Sequence, residues 1–321
     1  MGGRNLPGLT GKVKLPRTGA FYAIILFVAF FSLTAKNYFS ISNFTNIMQQ
    51  SAVLSVITIC SFLAILTHQT DLSVGGVAGM AGIVAALLMR SGVSLPLVFI
   101  IALGSGMAIG VLNGVLAGFT NMPTFIITLA TMSIANGIGL LLFDGSIRID
   151  SEIFKFMSQG SIWIIPMPII IVTVLYITFS YILKKRPYGT YLYAVGGNVE
   201  AALTSGLNTK KIKFSVYLIN GGIAAFAGML AAARIGVANP SQNLGIELDG
   251  ICSAVLGGTA LTGGRGSIYS AWLGAIAISL LRNGMNMIGL RIVTQMMVVG
   301  FVLIIILSID VISKRKEDAK G

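Results

Sequence analysis

Charged side chains are scarce in this sequence of 321 residues. They make up 10% of it, while hydrophobic residues make up 55%, and the mean hydropathy is +0.89. Roughly a quarter of the residues of an ordinary soluble domain are charged, so this composition excludes a soluble globular protein. Because a membrane-spanning helix needs about 20 apolar residues, the chain has room for about ten such helices. We therefore predict an all-α, polytopic membrane protein.

The residues that serve most catalytic and metal sites are equally rare. His68 is the single histidine, and the two cysteines, Cys60 and Cys252, lie 192 positions apart within apolar runs. This spacing excludes a disulfide framework and a paired metal site. The glycine-rich residues 263–267 lack the G-x-x-x-x-G-K-[ST] pattern of a nucleotide-binding loop. The sequence therefore predicts neither an enzyme nor an ATPase, and no bound metal or cofactor.

Acidic residues are outnumbered by basic ones, 10 against 22, and the positive excess is concentrated in three short clusters. The clusters lie in residues 1–18, in the loop 184–213 and in the tail 311–321, with net charges of +4, +5 and +2. Basic residues mark the cytoplasmic side of a membrane protein. We therefore predict that all three are cytoplasmic and that residues 19–310 form one transmembrane domain. Nucleic-acid binding is disfavoured because the clusters are short and flank apolar spans.

Ten apolar runs separated by polar breaks predict the spanning helices. They cover residues 19–35, 51–67, 72–89, 95–118, 123–143, 161–183, 214–233, 250–262, 267–288 and 292–309. Six runs separate the first basic cluster from the second and four separate the second from the third, so all three fall on one side of the membrane. The loop 144–160 on the other side lacks a positive bias, as expected of an outside loop.

Glycines recur every four residues in the fourth of these runs, at Gly106, Gly110, Gly114 and Gly118. This spacing puts them on one face of a helix, where bare backbone lets a second helix approach closely. The pattern favours a helix-packing seam over a direct role in transport.

Polar side chains at membrane depth are costly and usually face a partner or a water-filled path. Residues 67–71, Thr-His-Gln-Thr-Asp, interrupt an otherwise apolar stretch. Two interpretations stay open: a polar turn in which Asp71 caps the next helix, or a broken helix that lines a substrate path. Asp249 precedes a similar run of small residues on the other predicted side, which suggests a possible inverted repeat. The candidate path residues are His68, Gln69, Asp71 and, from another span, Asn136.

The middle of the basic loop 184–213 is nearly uncharged and predicts a short helix. Asn198 is a good N-cap, Glu200 suits the positive end of the helix dipole, and Gly206 is a typical helix terminator. The membrane does not require a helix in this loop. It indicates either a surface helix without a partner or a docking site.

Residues 196–206 resemble the E-A-A-x-x-x-G coupling loop of the permease subunits of bacterial ATP-binding cassette (ABC) importers, in the form found in ribose- and xylose-type permeases. Residues 71–75 and 256–267 are similar to two further stretches typical of that subfamily. The chain departs from the family at residues 67–70, where Thr-His-Gln-Thr stands in place of Thr-Gly-Gly-Ile, which leaves the substrate open. The residues that match the coupling loop are Gly196, Gly197, Asn198, Glu200, Ala201, Ala202, Ser205 and Gly206.

The resemblance implies a fold like that of type II importers, in a subunit that forms the translocation path for a monosaccharide or a similar polar solute. It implies a cytoplasmic ATPase partner, which uses ATP and Mg and docks on residues 197–206, with Ala201 and Ala202 on the docking face. It also implies an extracytoplasmic solute-binding protein and a second permease copy or a paralogue. The protein is then expected in the bacterial inner membrane, with both termini in the cytoplasm.

Two other functions stay open from the sequence. A stand-alone secondary carrier, driven by an ion gradient, would use His68 and Asp71 as a proton-linked pair. Related ABC permeases carry nucleosides or amino acids, so an importer of that kind would differ from the first hypothesis only in its solute.

Overall fold

The computed structural model describes residues 19–120, 122–163 and 165–318, without the side chains of residues 306, 307 and 309–318. The predicted basic N-terminus, residues 1–18, and the last three residues of the predicted tail lie outside this description. The described residues form thirteen helices: Gly19–Thr34 (α1), Ile41–Leu66 (α2), Val74–Arg90 (α3), Leu95–Phe119 (α4), Thr124–Leu142 (α5), Glu152–Gln159 (α6), Met167–Lys185 (α7), Pro187–Gly197 (α8), Val199–Thr204 (α9), Thr209–Ile235 (α10), Ile246–Leu256 (α11), Ile268–Met287 (α12) and Ile292–Asp318 (α13).

Four strands of two residues each form two small antiparallel ribbons in the described part of the chain. Ile147–Arg148 (β1) pairs with Val237–Ala238 (β4), and Ser161–Ile162 (β2) pairs with Ile165–Pro166 (β3). These ribbons only tie loops together, so the predicted all-α class is confirmed.

Ten of the helices lie where the ten spans are predicted. Five of them, α2, α4, α5, α7 and α10, are long and apolar enough to cross a membrane by length and composition. Large apolar side chains are exposed on the peripheral helices, including Leu26 of α1, Ile100 of α4 and Phe301 of α13. An apolar surface of this extent is typical of contact with a bilayer. The prediction of a polytopic membrane protein is confirmed.

The eighth predicted span, residues 250–262, is wrong in its bounds. The helix at this place, α11, has 11 residues and is about 16 Å long at 1.5 Å per residue, which is too short to cross a bilayer. Gly257 and Gly258 follow it, and Gly258 has a φ of +86°, a conformation that favours glycine and ends a helix. The irregular segment 257–267 continues from there.

The start of the second predicted span and the end of the tenth also differ. Helix α2 begins at Ile41 rather than at residue 51, because the Ser40 hydroxyl caps it by accepting a hydrogen bond from the Asn43 amide. Its first turns are too polar to register as an apolar run. Helix α13 continues through the predicted tail to Asp318.

The four glycines of α4 face α10. A Cβ atom added at Gly114 or at Gly118 would lie 2.8 Å from a carbonyl oxygen of α10, and the approach at Gly106 and Gly110 is closer still. No larger residue fits at these positions, so the two helices pack backbone to backbone, as small-xxx-small patterns do in membranes.

Helix α3 lies at the centre of the bundle. Every residue from Val74 to Ile83 is buried, and α5 packs so closely that a Cβ atom added at Gly76 would lie 2.7 Å from the Met132 carbonyl oxygen. On another side the irregular segment 239–245 runs into the bundle, with the Asn243 carbonyl oxygen 2.9 Å from where a Cβ atom of Gly75 would stand. The residues just before α3, which include Asp71, are therefore held deep inside the protein.

Helices α9 and α6 mark the two ends of the bundle. The chain passes from α9 directly into α10, which has 27 residues and is about 40 Å long. Helix α6 packs against the far end of α10, where the Ser158 hydroxyl donates to the Ala233 carbonyl oxygen at 2.8 Å. We call these the α9 end and the α6 end. The sequence predicts only a loop at residues 144–160, although Ile153, Phe154 and Phe156 indicate an apolar face there.

Candidate functional site

The short helix predicted in the basic loop is confirmed as α9. The Asn198 side-chain oxygen accepts a hydrogen bond from the Ala201 amide at 2.9 Å, and Glu200 lies in the first turn. Gly206 has a φ of +83° and its amide donates to the Leu203 carbonyl oxygen at 2.9 Å. Both ends of α9 are thus closed by the residues that the sequence indicates, which makes the helix a defined element despite its length.

One predicted member of the docking face of α9 points the other way. Ala202 is 4% exposed and belongs to the main apolar core, so it holds α9 against the bundle. Leu203, by contrast, is 52% exposed. The accessible surface of α9 therefore consists of Glu200, Ala201, Leu203 and Thr204. Successive residues of a helix point about 100° apart, and the sequence does not show which of two adjacent alanines meets the core.

The helix before α9, α8, ends in a backbone-to-backbone contact with two remote parts of the chain. A Cβ atom added at Gly196 would overlap the Leu66 carbonyl oxygen, at the end of α2, and would lie 2.6 Å from the Gly264 amide. That amide donates to the same Leu66 oxygen at 2.9 Å. A Cβ atom at Gly263 would lie 2.6 Å from the Gly196 carbonyl oxygen. We call Leu66, Gly196, Gly263 and Gly264 the glycine junction.

Two side chains close the glycine junction from its rim. Nδ1 of His68, which is exposed, lies 2.8 Å from the Thr262 carbonyl oxygen. The Tyr193 hydroxyl of α8 donates to the Gly266 carbonyl oxygen at 2.9 Å, and burial raises the pKa of Tyr193, so this tyrosine stays a donor at physiological pH. Two of the three segments that carry the resemblance to ABC permeases, residues 196–206 and 256–267, thus meet each other and the end of α2.

A buried polar network begins at Asp71, in the segment between α2 and α3. One carboxylate oxygen of Asp71 accepts from the Ser73 hydroxyl at 2.6 Å, and the other accepts from the Asn220 side-chain amide at 3.0 Å. The Asn113 amide donates to the Ser73 hydroxyl at 2.9 Å, and the Thr131 hydroxyl donates to Asn113 at 2.7 Å. We call these five residues the Asp71 network. It joins the start of α3 to α4, α5 and α10.

The four candidate path residues do not form one cluster. His68 is exposed beside the glycine junction, whereas Gln69 and Asp71 are buried. Asn136 lies on α5, and its side-chain oxygen packs against Gly76 of α3. Within the described residues, the Gln69 amide nitrogen and the Asn136 oxygen have no hydrogen-bond partner. Their assignment to a substrate path stays a prediction.

Asn220 is the donor that satisfies Asp71, and its replacement by leucine is expected to destabilise the protein. Asn220→Leu leaves one Asp71 oxygen and the Cys60 carbonyl oxygen without their donor, which costs about 1–3 kcal/mol of the free energy of unfolding. Asn136→Leu is the matched control, because no hydrogen bond is lost at that oxygen. Thermal unfolding of both variants in detergent measures the difference, and equal melting temperatures would contradict a structural role for the Asp71 network.

One ionic contact inside the bundle is not predicted from the sequence. Arg282 of α12 holds Asp249 of α11 at both carboxylate oxygens, with Nε 2.6 Å from Oδ2 and Nη2 2.7 Å from Oδ1. An arginine within a predicted span was the available signal, since such residues are rare there and face a partner. Within the described residues, no group of three or more His, Cys, Asp or Glu side chains could hold a metal ion.

Known proteins resemble the chain over most of its length. A family model described as "Branched-chain amino acid transport system / permease component" matches residues 43–307. The chain is 34% identical over 304 residues to the ribose import permease protein of Escherichia coli, covering 93% of this chain and 95% of the relative. It is 35% identical over 299 residues to the D-allose transport system permease protein of Escherichia coli, covering 91% and 90%. The xylose transport system permease protein of Haemophilus influenzae is 29% identical in an alignment of 358 positions, which covers 92% of this chain and 96% of the relative. No solved structure matches the chain significantly.

Proposed function

The chain belongs to the family of branched-chain amino acid transport system permease components, and from this premise we propose that it is the membrane-spanning subunit of an ABC importer for a monosaccharide or a similar polar solute. The relatives are named for ribose, allose and xylose, which favours a sugar over a nucleoside or an amino acid. The observation that carries the proposal is the direct backbone contact of α8, which leads into α9, with the end of α2 and with the segment 257–267.

That contact offers a route for mechanical coupling. An ATPase that presses on the exposed side of α9 displaces α8 with it, because only Asn198 separates the two helices. At the glycine junction the end of α8 meets the end of α2 and the segment 257–267 without intervening side chains. Closely packed backbone transmits a rigid displacement rather than absorbing it. The ATP and Mg are used by the partner subunit, and this chain supplies the moving surface.

The proposed partners fit the two ends of the bundle. The α9 end carries the capped helix and, next to it, the basic residues of the loop 184–213, and is the proposed cytoplasmic end by the positive-inside rule. The α6 end is the proposed outer face, where an extracytoplasmic binding protein releases its sugar. A second permease copy or a paralogue completes the importer in the inner membrane.

The contacts of Asp71 and His68 do not support a proton-coupled carrier. The Asp71 carboxylate is hydrogen-bonded to Ser73 and Asn220, and His68 contacts the Thr262 carbonyl oxygen. In the described structure the two side chains share no hydrogen bond, so they do not form the linked pair that such a mechanism requires.

Glu200→Ala is expected to uncouple the importer. Removal of the exposed carboxylate of α9 weakens the affinity of the ATPase by about tenfold or more if Glu200 is part of the docking surface, and sugar uptake falls with it. The melting temperature stays unchanged, since exposed substitutions alter stability by about 0.5 kcal/mol or less. Uptake of labelled D-ribose, D-allose and D-xylose by cells that express the whole importer, and co-purification of the ATPase, are the measurements.

Glu152→Ala is the matched control, because Glu152 is also an exposed first-turn glutamate of a short helix, at the α6 end. Its ATPase affinity is expected to equal that of the wild type. Normal uptake and normal ATPase association in Glu200→Ala would show that α9 is not the docking site. Absence of ATP-dependent uptake of any of the three sugars by the wild type would contradict the importer itself.

A further inference from the structure

A polar cavity of about 190 Å³ lies between α2, α10, α11 and α12. It is closer to the α6 end, since Arg234 in the last turn of α10 lines it. Such a cavity is smaller than the roughly 300–1,000 Å³ of sites for drug-sized ligands. Its charged and amide lining residues are Gln50, Arg234, Gln242, Asn243, Asp249 and Arg282, and we call it the outer cavity.

The outer cavity contains hydrogen-bond donors that the protein itself leaves unused. The Arg234 Nε and the Gln242 amide nitrogen are buried and have no partner within the described residues. Asn243, which is 6% exposed, lies beside them in the cavity wall. Native proteins rarely leave buried polar groups unpaired without a reason. Two neighbouring unpaired donors indicate a place for a polar ligand.

The acceptor side of the outer cavity is held rigidly. Asp249 is 5% exposed, and Arg282 orients its carboxylate through a hydrogen bond from Nη2 to Oδ1 at 2.7 Å, with Nε 2.6 Å from Oδ2. A carboxylate in such a pair keeps further lone pairs that can accept hydrogen bonds from a ligand. The cavity therefore presents planar amide, guanidinium and carboxylate groups together, and these can both donate to and accept from neighbouring hydroxyls.

We propose that the outer cavity binds one monosaccharide in transit, with Arg234, Gln242 and Asn243 hydrogen-bonded to its hydroxyls. The inference rests on the proposed function and adds a location for the solute within the chain. A neutral sugar fits the mixture of donors and acceptors, and the small volume admits a single ring. The Asp71 network, in which Asp71, Ser73, Asn113 and Asn220 are paired with one another, has no comparable free donors.

Cysteine labelling of the full chain in lipid nanodiscs tests the location. Cys60 and Cys252 are both 0% exposed, so the natural cysteines do not compete for a water-soluble thiol reagent. Gln50→Cys places a thiol in the wall of the outer cavity without removing a proposed sugar contact, and Ser241→Cys places one at an exposed residue outside it. The probe is the sugar that the wild-type importer takes up among D-ribose, D-allose and D-xylose, with the anion gluconate as the competing ligand.

The sugar is expected to slow labelling of Gln50→Cys by about tenfold at ten times its dissociation constant, because only the unoccupied fraction reacts, and to leave Ser241→Cys unaffected. Protection by gluconate alone, or protection of neither variant by the transported sugar, would overturn the outer cavity as a sugar site. Either result would leave the importer function intact, since that function is read from wild-type uptake.

A charge variant tests the contact to the sugar. Arg234→Gln in the Gln50→Cys background is expected to raise the sugar concentration needed for protection by about 10- to 100-fold, as loss of a hydrogen bond from a charged group does. Arg90→Gln, at an exposed arginine in the last turn of α3, is the control and should leave protection unchanged. Equal protection in the two variants would contradict the role of Arg234.

Discussion

Gly196→Ala is expected to lower the free energy of unfolding by about 2–4 kcal/mol and to reduce sugar uptake at least tenfold. The added methyl group overlaps the Leu66 carbonyl oxygen, and overpacking of this kind costs about 1–3 kcal/mol. Displacement of Leu66 also breaks its hydrogen bond to the Gly264 amide, which contributes about 1 kcal/mol. The obstacle is backbone, which cannot rotate away as a side chain can, so α2, α8 and the segment 257–267 must move apart.

The neighbouring glycine provides a control with the same chemistry. A Cβ atom added at Gly197 meets no heavy atom within 4 Å, and its φ is not in the left-handed region. Gly197→Ala should therefore keep the wild-type melting temperature, whereas Gly196→Ala should melt several degrees lower. Uptake measured alongside separates coupling from folding. If the two variants have the same melting temperature and transport sugar equally, the glycine junction is needed neither for stability nor for coupling.

Arg282→Met is expected to have the other large effect, a loss of about 3–5 kcal/mol, because removal of one partner leaves a buried charge uncompensated. Asp249 then keeps a carboxylate that is 5% exposed and faces no cation at bonding distance other than Arg282 in the described structure. Replacement of both partners, in Asp249→Leu with Arg282→Met, should recover most of that loss, since a buried ion pair is often replaceable by apolar residues.

Melting temperatures and detergent-soluble yields of the two single variants and the double variant complete a double-mutant cycle. Lys155→Met is the control for removing a cation, because Lys155 pairs with Asp150 and Glu152 at the exposed α6 end and such surface pairs contribute little. A loss in Arg282→Met no greater than in Lys155→Met would show that the pair of Asp249 and Arg282 is not a structural element of the bundle.

The ten helices were predictable because a span is a property of local composition. Apolar length alone locates α4, α5 and α12 to within one residue of their bounds. It starts the sixth span at residue 161, where the β2–β3 ribbon lies ahead of α7, and it misses the polar first turns of α2. Composition does not show where hydrogen bonding ends a helix. The prediction from composition therefore extends α11 past Gly257 and misses α6 and α8, whose sequences are too short or too mixed to form an apolar run.

The glycine spacing of α4 and the caps of α9 were equally predictable, since both depend on neighbours three or four positions away. Asn198 and Gly206 act on amide and carbonyl groups of their own helix. Which of Ala202 and Leu203 faces the core cannot be predicted from such neighbours, because it depends on how α9 packs against the core. Both residues suit a helix, and only the packing shows which is accessible.

The sequence by itself determined that this is a polytopic, all-α membrane protein with a capped helix in its most basic loop, because hydropathy and capping act over a few residues. Only the tertiary structure decided that the ends of α2 and α8 meet the segment 257–267 at the glycine junction, that Asp71 is satisfied by Asn220, and that Asp249 is held by Arg282. Contacts between residues so far apart in the chain depend on how whole helices pack, and no local pattern encodes which buried polar group will face which.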